Sequence, residues 1–187
     1  MKRVEQTLSL PLGGATAERA MLSIFFLMAT FLGAYVVVPL PFTPVPVTLQ
    51  TLFVLLGGAW LGTAWACGVQ ATYLGMGAAG LSVFAGAAGG FIYLLGPTAG
   101  YLWAFLPAAI LVGHFYKKAA TRGTVGKFVL FAVADALILL SGALWLGFVM
   151  HLSAGQMVLL GVAPFVPGEI AKILCATAFS PSLTRAD

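Results

Sequence analysis

Between Arg19 and Lys117 the chain carries no Asp, Glu, Lys or Arg, a run of 97 residues. A soluble domain carries about 25% charged residues, whereas only 7% of these 187 residues are charged and 61% are hydrophobic. There is too little charge to coat a surface in water, and the mean hydropathy of +1.05 places the chain in a bilayer. At about 20 residues per spanning helix the uncharged run holds four helices. A second uncharged run covers residues 136–168. The 23 glycines suit a tight all-α bundle, because small residues let membrane helices approach closely.

Apolar runs between Pro, Gly and charge punctuation predict helices near 20–38, 48–63, 65–80, 98–118, 125–150 and 165–181. The fold expected is therefore an integral membrane bundle of six helices. Its organisation is an N-terminal segment 1–19, a helical domain 20–181 and a tail 182–187. The first run superficially resembles a signal peptide, but its apolar stretch is too long and no small-x-small cleavage site precedes Pro39. It is read as the first span.

With six spans both ends lie on one side. Lys2, Arg3, Arg19, Lys117, Lys118, Arg122, Lys127 and Arg185 all fall there, and the loops 39–47, 81–97 and 151–164 hold no Lys or Arg. The positive-inside rule puts both termini and the 117–127 loop in the cytoplasm, and the other three loops outside. These outer loops are rich in Pro, Gly and aromatic residues. Pro39, Pro41, Pro44 and Pro46 stiffen the first, which suits a cap over a pocket. The net charge of +4 marks topology, not nucleic-acid affinity.

Gly75, Gly77 and Gly80 spell the dinucleotide fingerprint G-x-G-x-x-G, but no strand precedes it and no acid follows at ribose distance. Close packing and a helix end account for it. Cys67 and Cys175 lack metal-ligand spacing, His114 and His151 flank spans, and no metal site or cofactor site is expected.

Glu169 and Lys172, three apart on the last predicted helix, share one face. Each costs about 2.5–3.5 kcal/mol to place in a bilayer, so such residues face an interior or a cavity. Either they form an internal ion pair, or they line an outward pocket and offer an acceptor and a donor to one polar solute. Asp135, inside the fifth helix, can pair with Lys172, bond across helices or relay a proton. Gln50, Gln70 and Tyr73 add polar groups to helices that bracket the proline and glycine loops. Gly58/Gly62, Gly96/Gly100 and Ala29/Gly33 form small-x-x-x-small pairs, expected to pack within the chain, with partner contact or self-association left open.

The segments VPLPFTPVPVTLQTLFVLLGGAWLG at 38–62, GLSVFAGAAGGFIYLLGPTAGY at 80–101 and PFVPGEIAK at 164–172, in that order and spacing, resemble the BioY family. These are the biotin-specific substrate-binding S components of energy-coupling-factor (ECF) transporters. The resemblance covers most of the chain from about residue 20. It implies a cytoplasmic-membrane bundle that takes up biotin from outside, without catalysis, beneath the first outer loop and the glycine-rich loop. It places Glu169 and Lys172 in the pocket; the family's acid is usually Asp. The site expected also includes Gln70, Tyr73, Tyr101, Phe42, Thr43 and Phe84, with backbone N–H groups from Gly86 and Gly89.

The resemblance further implies a membrane coupling subunit and a pair of ATPases, since the chain has no Walker motif. Family members bind that subunit through Ala-x-x-x-Ala on the first helix, where Ala29 and Gly33 are the nearest match. A shared coupling subunit, a dedicated one and solitary transport all stay open. The reading from another class is an intramembrane enzyme using Glu169 or Asp135.

Overall fold

The computed structural model describes residues 14–182. The sites of Lys2, Arg3 and Arg185 lie outside the described residues, as does the tail beyond Ser182. Seven α-helices follow in order: α1 Gly14–Tyr35, α2 Gln50–Leu61, α3 Thr63–Ala78, α4 Ala99–Ala120, α5 Gly123–Met150, α6 Ala154–Gly161 and α7 Val166–Phe179. Helices α1, α4 and α5 are each long and apolar enough to cross a membrane, and α6 with α7, joined at a 54° bend, pass together as a fourth. Helix α2 has 12 residues and α3 has 16. At 1.5 Å per residue they rise about 18 and 24 Å, less than the hydrocarbon thickness.

Two boundaries differ from the sequence reading. Helix α1 is already formed at Gly14, the first described residue, inside the segment read as an N-terminal extension, and ends at Tyr35, where β-branched residues and Pro39 take the chain into an extended hairpin. The 151–164 stretch, read as a loop, contains α6. Ser153 starts that helix: its hydroxyl accepts from the Gln156 N–H, while the Gln156 side chain accepts from the Ser153 N–H at 2.9 Å. This reciprocal cap satisfies donors that an eight-residue helix otherwise leaves bare.

The proline loop after α1 is closed by two short antiparallel strands, β1 Val37–Val38 and β2 Val47–Thr48, with Val37 opposite Thr48 and Val38 opposite Val47. The Leu49 N–H then bonds Gly33 O at 3.1 Å and seats the start of α2 against α1. Gly62, at φ +74°, makes the sharp reversal between α2 and α3. After α3 the chain runs through two 3-10 turns, Ala85–Ala87 and Phe91–Leu95.

Glycines set how closely the helices approach. A Cβ at Gly77 would overlap the Phe84 ring, one at Gly100 would overlap Trp145, and one at Gly58 would press on Val112 at 2.8 Å. The G-x-G-x-x-G run is thus a packing notch and a helix end, with Gly80 at φ +99°. Gly33 is likewise turned inward, its Cβ position about 3.0 Å from Phe53, and Ala29 is buried. The Ala29/Gly33 pair therefore packs within the chain and presents no face to a partner.

The outward surface is apolar. Met21, Ile24, Phe25, Met28 and Leu32 on α1, and Val125, Val129, Val133, Leu140, Leu144 and Phe148 on α5, are exposed at helical spacing. A monomeric soluble protein does not expose such stripes. The protein is a membrane protein, and these faces point outward from the bundle. The cationic Lys117, Lys118, Arg122 and Lys127 gather where α4 turns into α5. Pro181, just past α7, docks at the same end, its carbonyl accepting from Lys127 Nζ at 2.9 Å and from the Tyr116 hydroxyl.

Candidate functional site

The opposite end of the bundle holds a small cavity. Each wall comes from a different part of the chain. Val45, Pro46, Val47 and Thr48 descend from the hairpin, Gln50 and Thr51 open α2, and Ala85 and Tyr93 come from the glycine-rich loop. Thr98, Tyr101, Leu102 and Phe105 face in from α4, Ile138 and Leu139 from α5, and Phe165 and Glu169 from the α6–α7 bend. The lining is mostly apolar and aromatic with a few fixed polar groups, the usual constitution of a small-molecule site.

Pro167 occupies the first turn of α7 and Glu169 follows in that turn, where the helix dipole favours an anion. Lys172 lies on the same face and reaches back, its Nζ 2.6 Å from Glu169 Oε1. The two residues are 5% and 6% exposed. The ammonium also donates to Thr48 O at 2.6 Å and Thr51 Oγ1 at 2.9 Å, and the Thr51 hydroxyl donates to Glu169 Oε2 at 2.8 Å. An ammonium has three donors, and all three are engaged by protein. Glu169 keeps lone pairs on both oxygens and lines the cavity; Lys172 stands behind it. The pair thus presents an acceptor, held in place by a saturated cation.

A second chain of bonds fixes Gln50. Its Oε1 accepts from the Thr48 hydroxyl at 3.1 Å, its Nε2 donates to the Tyr73 hydroxyl, and that hydroxyl donates to Val83 O at 2.7 Å. Tyr73 therefore orients a lining residue from behind. The Tyr101 ring faces the cavity, but its hydroxyl donates to Gly161 O at 2.7 Å and ties α4 to the end of α6.

Of the polar and aromatic residues singled out in the sequence, Gln50, Tyr101 and Glu169 line the cavity, with Lys172 and Tyr73 immediately behind it. Phe84 is fully buried, 5.6 Å from the Tyr73 ring centroid and stacked at 5.1 Å on Tyr93; it supports the lining Tyr93 from beneath. Gly86 and Gly89 belong to the loop that contributes Ala85. A Cβ at Gly89 would overlap Leu81 O. Gln70 is buried on α3 outside the lining, with its Oε1 unpartnered. Thr43 is buried in the hairpin, its Oγ1 accepting from Val45 N–H at 3.4 Å. Phe42 is 55% exposed and is not among the lining residues.

Sequence reasoning missed Thr48, Thr51, Thr98, Tyr93, Phe105, Ile138, Leu139 and Phe165 as lining residues. Among the described residues no cluster of three or more His, Cys, Asp or Glu could hold a metal ion.

Residues 5–187 match the family model described as the BioY family. The chain belongs to the BioY family. A relative named biotin transporter BioY2 from Lactococcus lactis subsp. cremoris is 34% identical over 165 residues, covering 88% of this chain and 90% of the relative. A relative named biotin transporter BioY from Thermotoga maritima is 33% identical, covering 82% and 88% respectively. The fold matches a solved structure described as the S-component for biotin from an ECF-type ABC transporter, with TM-score 0.83 and 23% identity over 89% of this chain and 90% of that one.

Proposed function

We propose that this BioY-family chain binds biotin in the cavity and carries it across the cytoplasmic membrane as the substrate-specific component of an ECF-type transporter. One observation carries the chemistry: a buried carboxylate, neutralised and oriented by Lys172 and Thr51, faces an otherwise apolar and aromatic cavity. Biotin offers the complement, two ureido N–H donors on an apolar bicyclic body. Glu169 accepts from the ureido edge, and Gln50 and Thr98 supply further polar contacts. Tyr93, Tyr101, Phe105 and Phe165 cover the apolar rings. The bond to an ionised acceptor is the stronger kind and is strengthened by the dry surroundings.

Six membrane segments fit this reading. Helices α1 to α5 supply five, with short α2 and α3 extended by the hairpin and the glycine loop, and bent α6–α7 supplies the sixth. Both termini and the basic α4–α5 turn then lie in the cytoplasm, and the cavity opens outward beneath the proline and glycine loops. A coupling membrane subunit and two ATPases provide the energy, since the bundle's lining carries no phosphate-binding loop. The small-residue pair on α1 is already occupied by α2, so the coupling subunit meets the exposed apolar face of α1.

Uptake in a biotin-requiring bacterium tests the function. Cells expressing the chain with a coupling subunit and ATPases are expected to accumulate labelled biotin, and Glu169→Ala cells are expected not to. Equal uptake by cells lacking the chain contradicts the proposal.

A further inference from the structure

The cations at the turn between α4 and α5 differ in their surroundings. Lys127 is engaged by protein: its Nζ donates to Pro181 O at 2.9 Å and lies 5.8 Å from the centre of the Tyr116 ring. Lys118 and Arg122 instead stand at the head of a groove between the two helices. Among the described residues the one ion pair is Glu169 with Lys172, so neither of these two cations has a carboxylate against it.

Below them the groove is apolar. Leu111 and Phe115 on α4 form one wall, and Val125, Val129 and Val133, four apart on one face of α5, form the other. The three valines are exposed. Small residues make the floor, where a Cβ at Gly126 would overlap Ala119 O. From Val125 to Val133 the wall rises about 12 Å at 1.5 Å per residue, close to half of a hydrocarbon core about 30 Å thick. The groove is therefore about as deep as one leaflet. Further along, the same two helices form a second groove around Pro107, Leu144 and Phe148, which shares no residue with the first and has no charged side chain in its lining.

Helices α4 and α5 are each long and apolar enough to cross a membrane, which puts the turn joining them at the level of lipid headgroups and the groove beside acyl chains. A free anion answers the two cations and leaves the apolar walls empty. A neutral lipid fills the walls and leaves the cations unanswered. A spanning partner helix asks for a groove continuous across both leaflets, and this one stops within a single leaflet. A molecule with a phosphate at its head and hydrocarbon below it meets every part: the Arg122 fork matches phosphate oxygens in pairs, and Lys118 adds a point charge. Basic pockets between spanning helices hold anionic headgroups in this way.

We propose that the α4–α5 groove binds one anionic phospholipid, its phosphate held by Lys118 and Arg122 and one acyl chain laid along Val125, Val129 and Val133 against Leu111 and Phe115. In the proposed topology this lipid belongs to the inner leaflet, where it fastens the basic turn to the membrane surface. The assignment does not depend on what the cavity binds.

Native mass spectrometry of the full chain in a neutral detergent tests it, by titration with phosphatidylglycerol and with phosphatidylcholine of identical acyl chains. The wild type is expected to hold one phosphatidylglycerol about tenfold more tightly than phosphatidylcholine. Lys118→Gln and Arg122→Gln are each expected to lose about fivefold of the phosphatidylglycerol affinity. Lys117→Gln makes the same charge change at the same turn but outside the groove lining, and is expected to bind as wild type. Val129→Trp fills the groove without changing charge and is expected to weaken both lipids. All four positions are exposed, so the variants are expected to fold. Equal affinity of the wild type for the two lipids overturns the proposal, as does an equal loss in Lys117→Gln, which would mean attraction to bulk charge. Displacement of the lipid by excess glycerol phosphate would reduce the site to an anion site without a chain and overturn it too. Unchanged lipid preference in Lys118→Gln combined with Arg122→Gln, with loss of a co-purifying membrane subunit instead, would give the groove to a protein partner and likewise overturn it.

Discussion

At residue scale, Glu169 and Lys172 show how a bilayer protein keeps two ionised groups: each finds its counter-charge at 2.6 Å and its remaining bonds within a turn of α2. Breaking such a pair costs more than removing it, because one partner left alone is an uncompensated buried charge. Lys172→Met is therefore expected to destabilise the protein by roughly 3–5 kcal/mol, and Glu169→Gln combined with Lys172→Met by less. Thermal unfolding in detergent checks the order, and a double variant less stable than the single would show that the pair contributes net stability. Thr51→Val removes the hydroxyl that bridges the two charges and is expected to cost about 1–3 kcal/mol with a matching fall in melting temperature.

At the scale of elements, packing turns on glycines whose neighbours leave no room for a methyl group. A Cβ at Gly142 on α5 would overlap the Tyr101 ring, a wall of the cavity. Gly142→Ala is expected to cost about 1–3 kcal/mol by overpacking and also to weaken biotin binding, whereas Gly77→Ala, whose Cβ would overlap Phe84 behind the wall, is expected mainly to lower stability. Unfolding curves and biotin titrations measured together separate the two.

The long spans α1, α4 and α5 were legible in the sequence because a long apolar stretch with few charges is a strong signal. Helix α6 was missed although Ser153-x-x-Gln156 is a capping-box pattern, because its eight residues were read as loop between longer runs. The charged pair was legible because ionisable groups are scarce in an apolar run. Thr48 and Thr51 were not, since their role exists only once the hairpin brings residue 48 beside residue 172. Phe42 illustrates the reverse: prolines fix the loop's backbone but not the burial of its aromatic side chain, which is exposed.

At the scale of the whole molecule, the proposed function implies a topology and a ligand. With Cys67 and Cys175 replaced by Ala, a cysteine introduced at Ser153 is expected to react with an impermeant thiol reagent on intact cells, and one at Thr121 only after the membrane is opened. The opposite pattern would invert the orientation. In the proposed topology the basic α4–α5 turn lies in the cytoplasm, and the cavity lies at the other end of the bundle under two irregular loops. The most direct measurement is calorimetric titration of the detergent-purified chain with biotin, beside Glu169→Ala. The account expects saturable one-to-one binding with a Kd below micromolar in the wild type and none in the variant; absence of saturable binding by folded wild type, or equal affinity in both, would contradict it.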